Sequence, residues 1–138
     1  MTYTPGDLFD LTQTAHAALF DQCEYAWDAL QHLQVYIRQH LRTAQTPHSG
    51  PQVWIGEQVF IGEGTVIEPG AMIKGPAIIG RNCEIRHNAY IREDALIGDH
   101  CVIGNATEIK HSVMFNHAGV PPLSYVGDFI LGYRAHPG

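Results

Sequence analysis

Cysteine is scarce in this chain, and the little present forms no recognisable frame. Cys23, Cys83 and Cys101 are odd in number and show no C-x-x-C spacing. That excludes a disulfide scaffold and a thiolate zinc site, and they read as reduced, cytoplasmic core residues. Positive charge is also in short supply: eight Lys and Arg against fourteen Asp and Glu leave a net charge of -6. Sequence-independent nucleic-acid binding needs a basic face, so that class is set aside. A phosphorylated small molecule is not excluded, because a few well-placed cations suffice to hold it. No apolar run reaches the roughly 18 residues of a membrane span. The opening Met1-Thr-Tyr-Thr-Pro-Gly lacks the basic and apolar regions of a secretion signal. No GxxxxGK[ST] or GxGxxG motif marks a phosphate cradle.

What is present falls into two regimes. With 138 residues, the chain fits one domain or one domain with a small appendage. Residues 7–43 keep a helical rhythm. Asp7 or Asp10 is placed to cap a short helix carrying Leu8, Leu11, Ala15, Leu19 and Phe20. A second helix is expected from about Asp21 to Leu41, because Cys23, Trp27, Leu30, Leu33, Ile37 and Leu41 recur every three or four residues and share one face. That stripe is a packing surface. Pro, Gly, Ser and Thr over Thr43–Pro51 then stop the helix, giving a helical segment and linker over 1–50 and a second unit over 51–138.

From Val53 the period changes to six. Isoleucine stands at 55, 61, 67, 73, 79, 85, 91, 97, 103 and 109 without interruption. Two residues before each lies a small or β-branched residue: Val53, Val59, Thr65, Ala71, Ala77, Cys83, Ala89, Ala95, Cys101 and Thr107. Neither 3.6 nor 2.0 reproduces this period. One large and one small inward residue per six suits a short strand plus a turn, and three such units close a triangular coil. Coils then stack about 4.8 Å apart, the spacing of hydrogen-bonded strands. The isoleucines become ladders inside a prism, each burial worth roughly 1.5–3 kcal/mol. Gly56, Gly62, Gly80, Gly98 and Gly104 each follow an Ile, where a side chain would crowd a tight corner. The fold class is therefore mainly β: a parallel β-helix of hexapeptide repeats preceded by a helical segment. Crossover statistics alone favour a right hand. At Phe115 the rhythm breaks, and Asn116–Leu123, with its Pro-Pro pair, reads as an extruded loop. Tyr125–Asp128 resumes the wall, with Leu131-Gly132 as a further rung. An uncapped β-helix end leaves an open edge, so a chain stopping at Gly138 is expected to be a piece of a longer protein.

The stretch Gly104–Asp128, with its Glu-Ile-Lys and Leu-Ser-Tyr-Val-Gly-Asp segments, resembles the C-terminal domain of sugar-1-phosphate nucleotidylyltransferases. It is most like that of the bifunctional N-acetylglucosamine-1-phosphate uridylyltransferase/glucosamine-1-phosphate acetyltransferases. Stand-alone bacterial members labelled UDP-N-acetylglucosamine diphosphorylase look similar also in Phe9-Asp10-Leu11 and Tyr25–Leu30. The resemblance implies a left-handed β-helix and a homotrimer whose acetyl-transfer site lies between subunits, with acetyl-CoA as co-substrate. By motif, the family's phosphate-gripping Arg and Lys fall on Arg92 and Lys110, and its sugar-positioning Glu and Tyr on Glu108 and Tyr125. Glu108 and Lys110 flank Ile109, so both point outward, and two cations beside one phosphate supply charge-assisted hydrogen bonds.

The chain departs from that pattern in three places. The family's catalytic His falls on Pro122, which cannot move a proton; its Asn falls on His136, and a Leu rung on Pro137. The later coils that hold acetyl-CoA are absent, so no bound cofactor is expected here, nor is there room in 1–50 for a nucleotidyl-transfer domain. The expected partners are a sugar phosphate or nucleotide-sugar and copies of the chain, without nucleic acid or membrane.

Blander readings stand beside these. Arg92 and Lys110 occupy the same hexad position as Arg86 and Lys74, which the family leaves without a role; Glu108 would pair with either cation on a surface; Tyr125 would anchor a loop. His117 is a weak stand-in for the missing base, five residues off the family position. His87, His100, His111 and His117 lack paired metal-ligand spacing, so no metal is expected. A zinc shared across subunits through His87 and His111, as in the carbonic-anhydrase relatives of this fold, is the third reading. The second is a non-catalytic trimeric module that binds nucleotide-sugars or a partner enzyme.

Overall fold

The computed structural model describes residues 3–41 and 52–136. The expected linker over 43–51 and the Pro137 rung lie outside the described residues. Two units meet: a helical lead-in and a parallel β-helix.

The lead-in is more broken than its rhythm suggests. Helix α1 is Pro5–Leu8 only. Thr4 caps it by accepting the Asp7 N–H, and Pro sits in its first turn, where its missing N–H costs nothing. Asp10, one of the two expected caps, takes the Thr12 N–H at 3.1 Å and opens a single 3-10 turn over Leu11–Gln13. A second such turn covers Ala17–Phe20, and a third covers Ala26–Asp28. The long helix α2 runs Ala29–His40 and not from Asp21. The Asp28 carboxylate accepts the Tyr25 N–H at 3.0 Å, so residues 25–28 form a start signal within the stretch read as helix interior. Trp27, placed on the buried stripe by spacing, is 50% exposed and stacks on Tyr25 at 5.0 Å.

The β-helix winds through four complete coils. The first holds β1 (Trp54–Ile55), β2 (Val59–Ile61) and β3 (Val66–Ile67). The second holds β4 (Met72–Ile73), β5 (Ala77–Ile79) and β6 (Glu84–Ile85). The third holds β7 (Tyr90–Ile91), β8 (Ala95–Ile97) and β9 (Val102–Ile103). The fourth holds β10 (Glu108–Lys110), β11 (Ser112–Met114) and β12 (Gly119–Val120). Beyond these, β13 (Tyr125–Gly127) and β14 (Ile130–Leu131) add rungs to two walls. The walls are parallel sheets in the orders β1-β4-β7-β10-β13, β2-β5-β8-β11-β14 and β3-β6-β9-β12; they are called here the first, second and third wall.

The isoleucine ladders face inward as their period requires. Ile73, Ile79, Ile85, Ile91, Ile97, Ile103 and Ile109 are fully buried, and the small partners Ala71, Cys83, Ala89, Cys101 and Ala118 fill the corners. Cys83 and Cys101 are free and buried, while Cys23 in the lead-in is half-buried. Hydrogen bonding and burial hold the Cys101 thiol far above its ordinary value, so it stays protonated. Gly62 shows why glycine follows isoleucine: a Cβ there would stand 2.6 Å from the Gly80 carbonyl of the next coil. The turns themselves use other residues in the left-handed region, such as Asn82, Asn88, Asp94 and His100.

The expected loop at Asn116–Leu123 is not extruded. Gly119 and Val120 pair with Val102 and Ile103 on the third wall, and Ala118 and Val120 are buried in the prism. The change of rhythm lies earlier. Ile91 pairs with Ile109, eighteen residues on, but Ile97 pairs with Met114, seventeen on. One residue is missing at the corner Lys110-His111-Ser112. Met114, Val120 and Val126 then carry the inward ladder, so the coil continues with other side chains in the isoleucine seat.

The lead-in docks on the outer face of the second wall. Leu19, Phe20, Leu33, Tyr36 and Ile37 form one core with the outward residues Ile78, Leu96 and Val113 and with Phe115. Phe9 stacks on Phe115 at 5.1 Å. One wall is thereby covered by the lead-in, and among the described residues no helix packs on the first or third.

Candidate functional site on the first wall

On the first wall, residues flanking the inward ladder point outward and form two columns. Trp54 and Met72 are paired in register, Met72 with Tyr90, Tyr90 with Glu108, and Glu108 with Tyr125. Two residues further along each strand, the same registers place Lys74 opposite Arg92 and Arg92 opposite Lys110, with Lys110 opposite Gly127. Backbone bonds hold this alignment: Lys74 N–H donates to Ile91 O at 2.7 Å, and Arg92 N–H to Ile109 O at 2.8 Å.

The structure thus brings together all four residues to which the resemblance would give sugar-phosphate binding. Arg92, Glu108, Lys110 and Tyr125 occupy three successive rungs, about 4.8 Å apart, on one outward face. Arg92 Nη1 donates to Glu108 Oε2 at 2.8 Å, and its Nε donates to Glu93 Oε1 at 3.1 Å. The hydrogen bond to Glu108, helped by the charge of Glu93, raises Arg92 further above its already high value. A bond from its own backbone N–H holds Glu93 below the usual carboxylate range, with Arg92 and Lys74 assisting. Among the described residues neither Lys74 nor Lys110 makes an ion pair. Tyr125 is 58% exposed, and its phenol lies over the bare backbone of Gly127, where a Cβ would stand 2.5 Å from the hydroxyl.

Two other residues singled out from sequence lie elsewhere. His117 sits in a turn between the second and third walls, stacked on His100 at 4.7 Å and edge-on to Tyr133. The sequence placed Pro122 at the family's catalytic position, and it lines a hollow on the third wall with Pro121, Val102, Gly119, Arg86 and His136. A Cβ on Gly119 would touch the His136 ring at 2.7 Å, so the imidazole rests on the bare backbone there. His136 and Pro122 line the same hollow, an association that linear spacing does not reveal.

His87 lies at the corner leading into the first wall, its Nδ1 against Pro69 O, and His111 at the corner leaving it. The two are on different corners of one prism, and among the described residues no three His, Cys, Asp or Glu side chains cluster to hold a metal. His111 instead ties the units together: Nε2 lies 2.7 Å from Leu30 O of α2, and Nδ1 3.0 Å from Asp128 Oδ1. Beside it Asp94 is buried with one carboxylate oxygen unpartnered. Burial lifts its carboxyl above the usual range, against the opposing pull of His111 and Arg38.

No described helix is long and apolar enough to cross a membrane. A family model described as bacterial transferase hexapeptide (six repeats) matches residues 58–93 and 76–111. No curated protein matches the chain. The match runs from the second strand of the first coil through the second and third coils, which carry Lys74 and Arg92, and reaches Glu108 and Lys110 at the start of the fourth. Stacked parallel walls and the hexapeptide match together support a left-handed β-helix domain.

Proposed function

We propose that the first wall binds an amino-sugar 1-phosphate, and that the protein belongs to the sugar-1-phosphate acyl/nucleotidyl-transferase group. Its parent reaction is acetyl transfer from acetyl-CoA to the sugar amine. The observation that carries this reading is the convergence of Arg92, Glu108, Lys110 and Tyr125 on adjacent rungs of one exposed face. Lys110 supplies an unpaired ammonium for the phosphate. Arg92 exchanges a bond to Glu108 or Glu93 for a charge-assisted bond to the anion. Released from Arg92, the Glu108 carboxylate is free to accept from the sugar amine or a hydroxyl, and Tyr125 offers a ring face and a hydroxyl. A homotrimer, cyclic and closed, would set this wall against a neighbouring copy, which suits a chain whose second wall is already covered by its own helices.

Proton removal from the amine is the weak step. Pro122 holds the position of the family base and has no group to accept a proton, so turnover is expected to be impaired. The second reading, a trimeric module that binds a nucleotide-sugar or a partner enzyme without turning it over, gains from that same proline.

Thiol release from acetyl-CoA with glucosamine 1-phosphate tests the transferase reading, and calorimetric binding of glucosamine 1-phosphate tests the site. Arg92→Ala is expected to weaken that binding about tenfold or more, the loss of one charge-assisted contact. Binding without thiol release selects the non-catalytic module, and binding indifferent to Arg92 removes the site altogether.

A further inference from the structure

Lys74 has no part in the phosphate grip implied by the resemblance, yet it stands in line with it. The chain has only eight Lys and Arg in all, against fourteen acids. Three of those eight, including both lysines, stack directly opposite one another as Lys74, Arg92 and Lys110. Like charges opposed on neighbouring strands are destabilising. Glu108 and Glu93 both bond to Arg92 in the middle of this ladder, and Lys74 is within reach of the Glu93 charge without pairing to it. The two lysines at its ends make no ion pair among the described residues, and they are separated by two rungs, or about 9.6 Å. One monophosphate spans a single rung gap. The third cation is one more than such a ligand needs.

The neighbouring column points the same way. Two residues before Lys74 is Met72, 41% exposed, and in register with it on the previous coil is Trp54, 51% exposed. These are large apolar surfaces left in solvent beside the spare lysine, on the side away from Tyr125. A flat aromatic ring stacks well on such a platform.

We infer that the first wall takes a nucleoside diphosphate sugar rather than a sugar monophosphate alone, with Lys74 holding the second phosphate and Met72 and Trp54 supporting the base. This rests on the proposed sugar-phosphate site and extends it by one rung toward the first coil. The sugar-proximal phosphate lies between Lys110 and Arg92, the distal phosphate between Arg92 and Lys74, and the base continues over Met72.

Calorimetric titration of the full chain with uridine 5′-monophosphate, uridine 5′-diphosphate and glucosamine 1-phosphate separates the possibilities. The diphosphate is expected to bind about tenfold tighter than the monophosphate, one added charge-assisted contact. Lys74→Met should abolish that advantage while leaving glucosamine 1-phosphate binding unchanged, and Arg86→Met on the third wall should change nothing. Equal affinities for the two nucleotides would overturn the inference. So would Lys74→Met weakening all three ligands by one factor, or Arg86→Met matching its effect, since either marks a diffuse field rather than a seat. If these failures occur while glucosamine 1-phosphate still binds through Arg92, the sugar-phosphate site stands without the extension. If glucosamine 1-phosphate binding ignores Arg92, the underlying site falls as well.

Discussion

The inside of the prism and the seam between prism and helices are both dry and apolar, but they are built on different terms. Inside, each isoleucine sits on the inward residue of the coils above and below, isoleucine again until Met114, Val120 and Val126 take over, and seven isoleucines are fully buried in this way. At the seam every contact is particular: Phe115 meets Phe9 and Phe20, Leu33 and Ile37 meet Ile78, Leu96 and Val113. Repetition makes the first core nearly independent of what covers it, because each coil's backbone is paired by its neighbours. The second core exists only while the lead-in is docked. The difference teaches where damage spreads: a prism defect is shared along the column, whereas a seam defect releases one element.

The largest expected effect follows from breaking the column. Ile91→Ala in the third coil removes a fully buried side chain between two ladder neighbours, and should cost about 2–5 kcal/mol. Denaturant unfolding followed by β-sheet circular dichroism reads that loss as a shift of the whole transition.

Leu96→Asp sharpens the contrast. Leu96 points outward into the seam, so a carboxylate there should undock α2 and leave the prism folded. Hydrogen exchange would show protection lost over 29–40 but kept at Ile85, Ile91 and Ile103. Exchange rising equally in both regions would contradict two separable cores.

A smaller effect belongs to the place where the two regions touch. Asp94 lies at a corner near His111 and Arg38, buried with an unpartnered oxygen. Its folded-state pKa is raised, so its ionised form is the costly one. No penalty exists below the unfolded carboxylate value; it grows as pH rises through that value and is complete above the folded one. Asp94→Asn keeps the shape and suits the left-handed backbone that Asn82 and Asn88 already adopt. It should stabilise the protein by about 1 kcal/mol at neutral pH and by nothing in strong acid. Thermal unfolding of both variants across the acid range measures the difference.

The same contrast explains what was legible in the sequence. Ten isoleucines at one spacing announce a prism because every coil repeats the environment that selects them. The fourth coil was misread because Met114, Val120 and Val126 fill the isoleucine seat after one residue is lost at Lys110-His111-Ser112; the seat persists while its usual occupant changes. Helix boundaries failed for a local reason, since the Tyr25–Asp28 start signal sits within an unbroken apolar spacing. The docking wall carried a signal that was overlooked: Phe60, Ile78, Leu96, Val113 and Ile130 are the outward residues of the second wall, and all are large and apolar. The proposed site residues Arg92, Glu108, Lys110 and Tyr125 come from the resemblance, and their placement on one face follows from the coil period itself. Lys74 was seen in the same hexad position and passed over. That His136 shares a hollow with Pro122 depends on how the last described residues return to Gly119, which no spacing encodes.

The most direct test of the central claim is a two-dimensional amide NMR titration of the intact chain with glucosamine 1-phosphate. The account predicts shifts confined to Tyr90–Arg92, Glu108–Lys110 and Tyr125–Gly127, absent in Arg92→Ala. Shifts centred instead on the third-wall hollow around Gly119 and Val102, or none at saturating ligand, would contradict it.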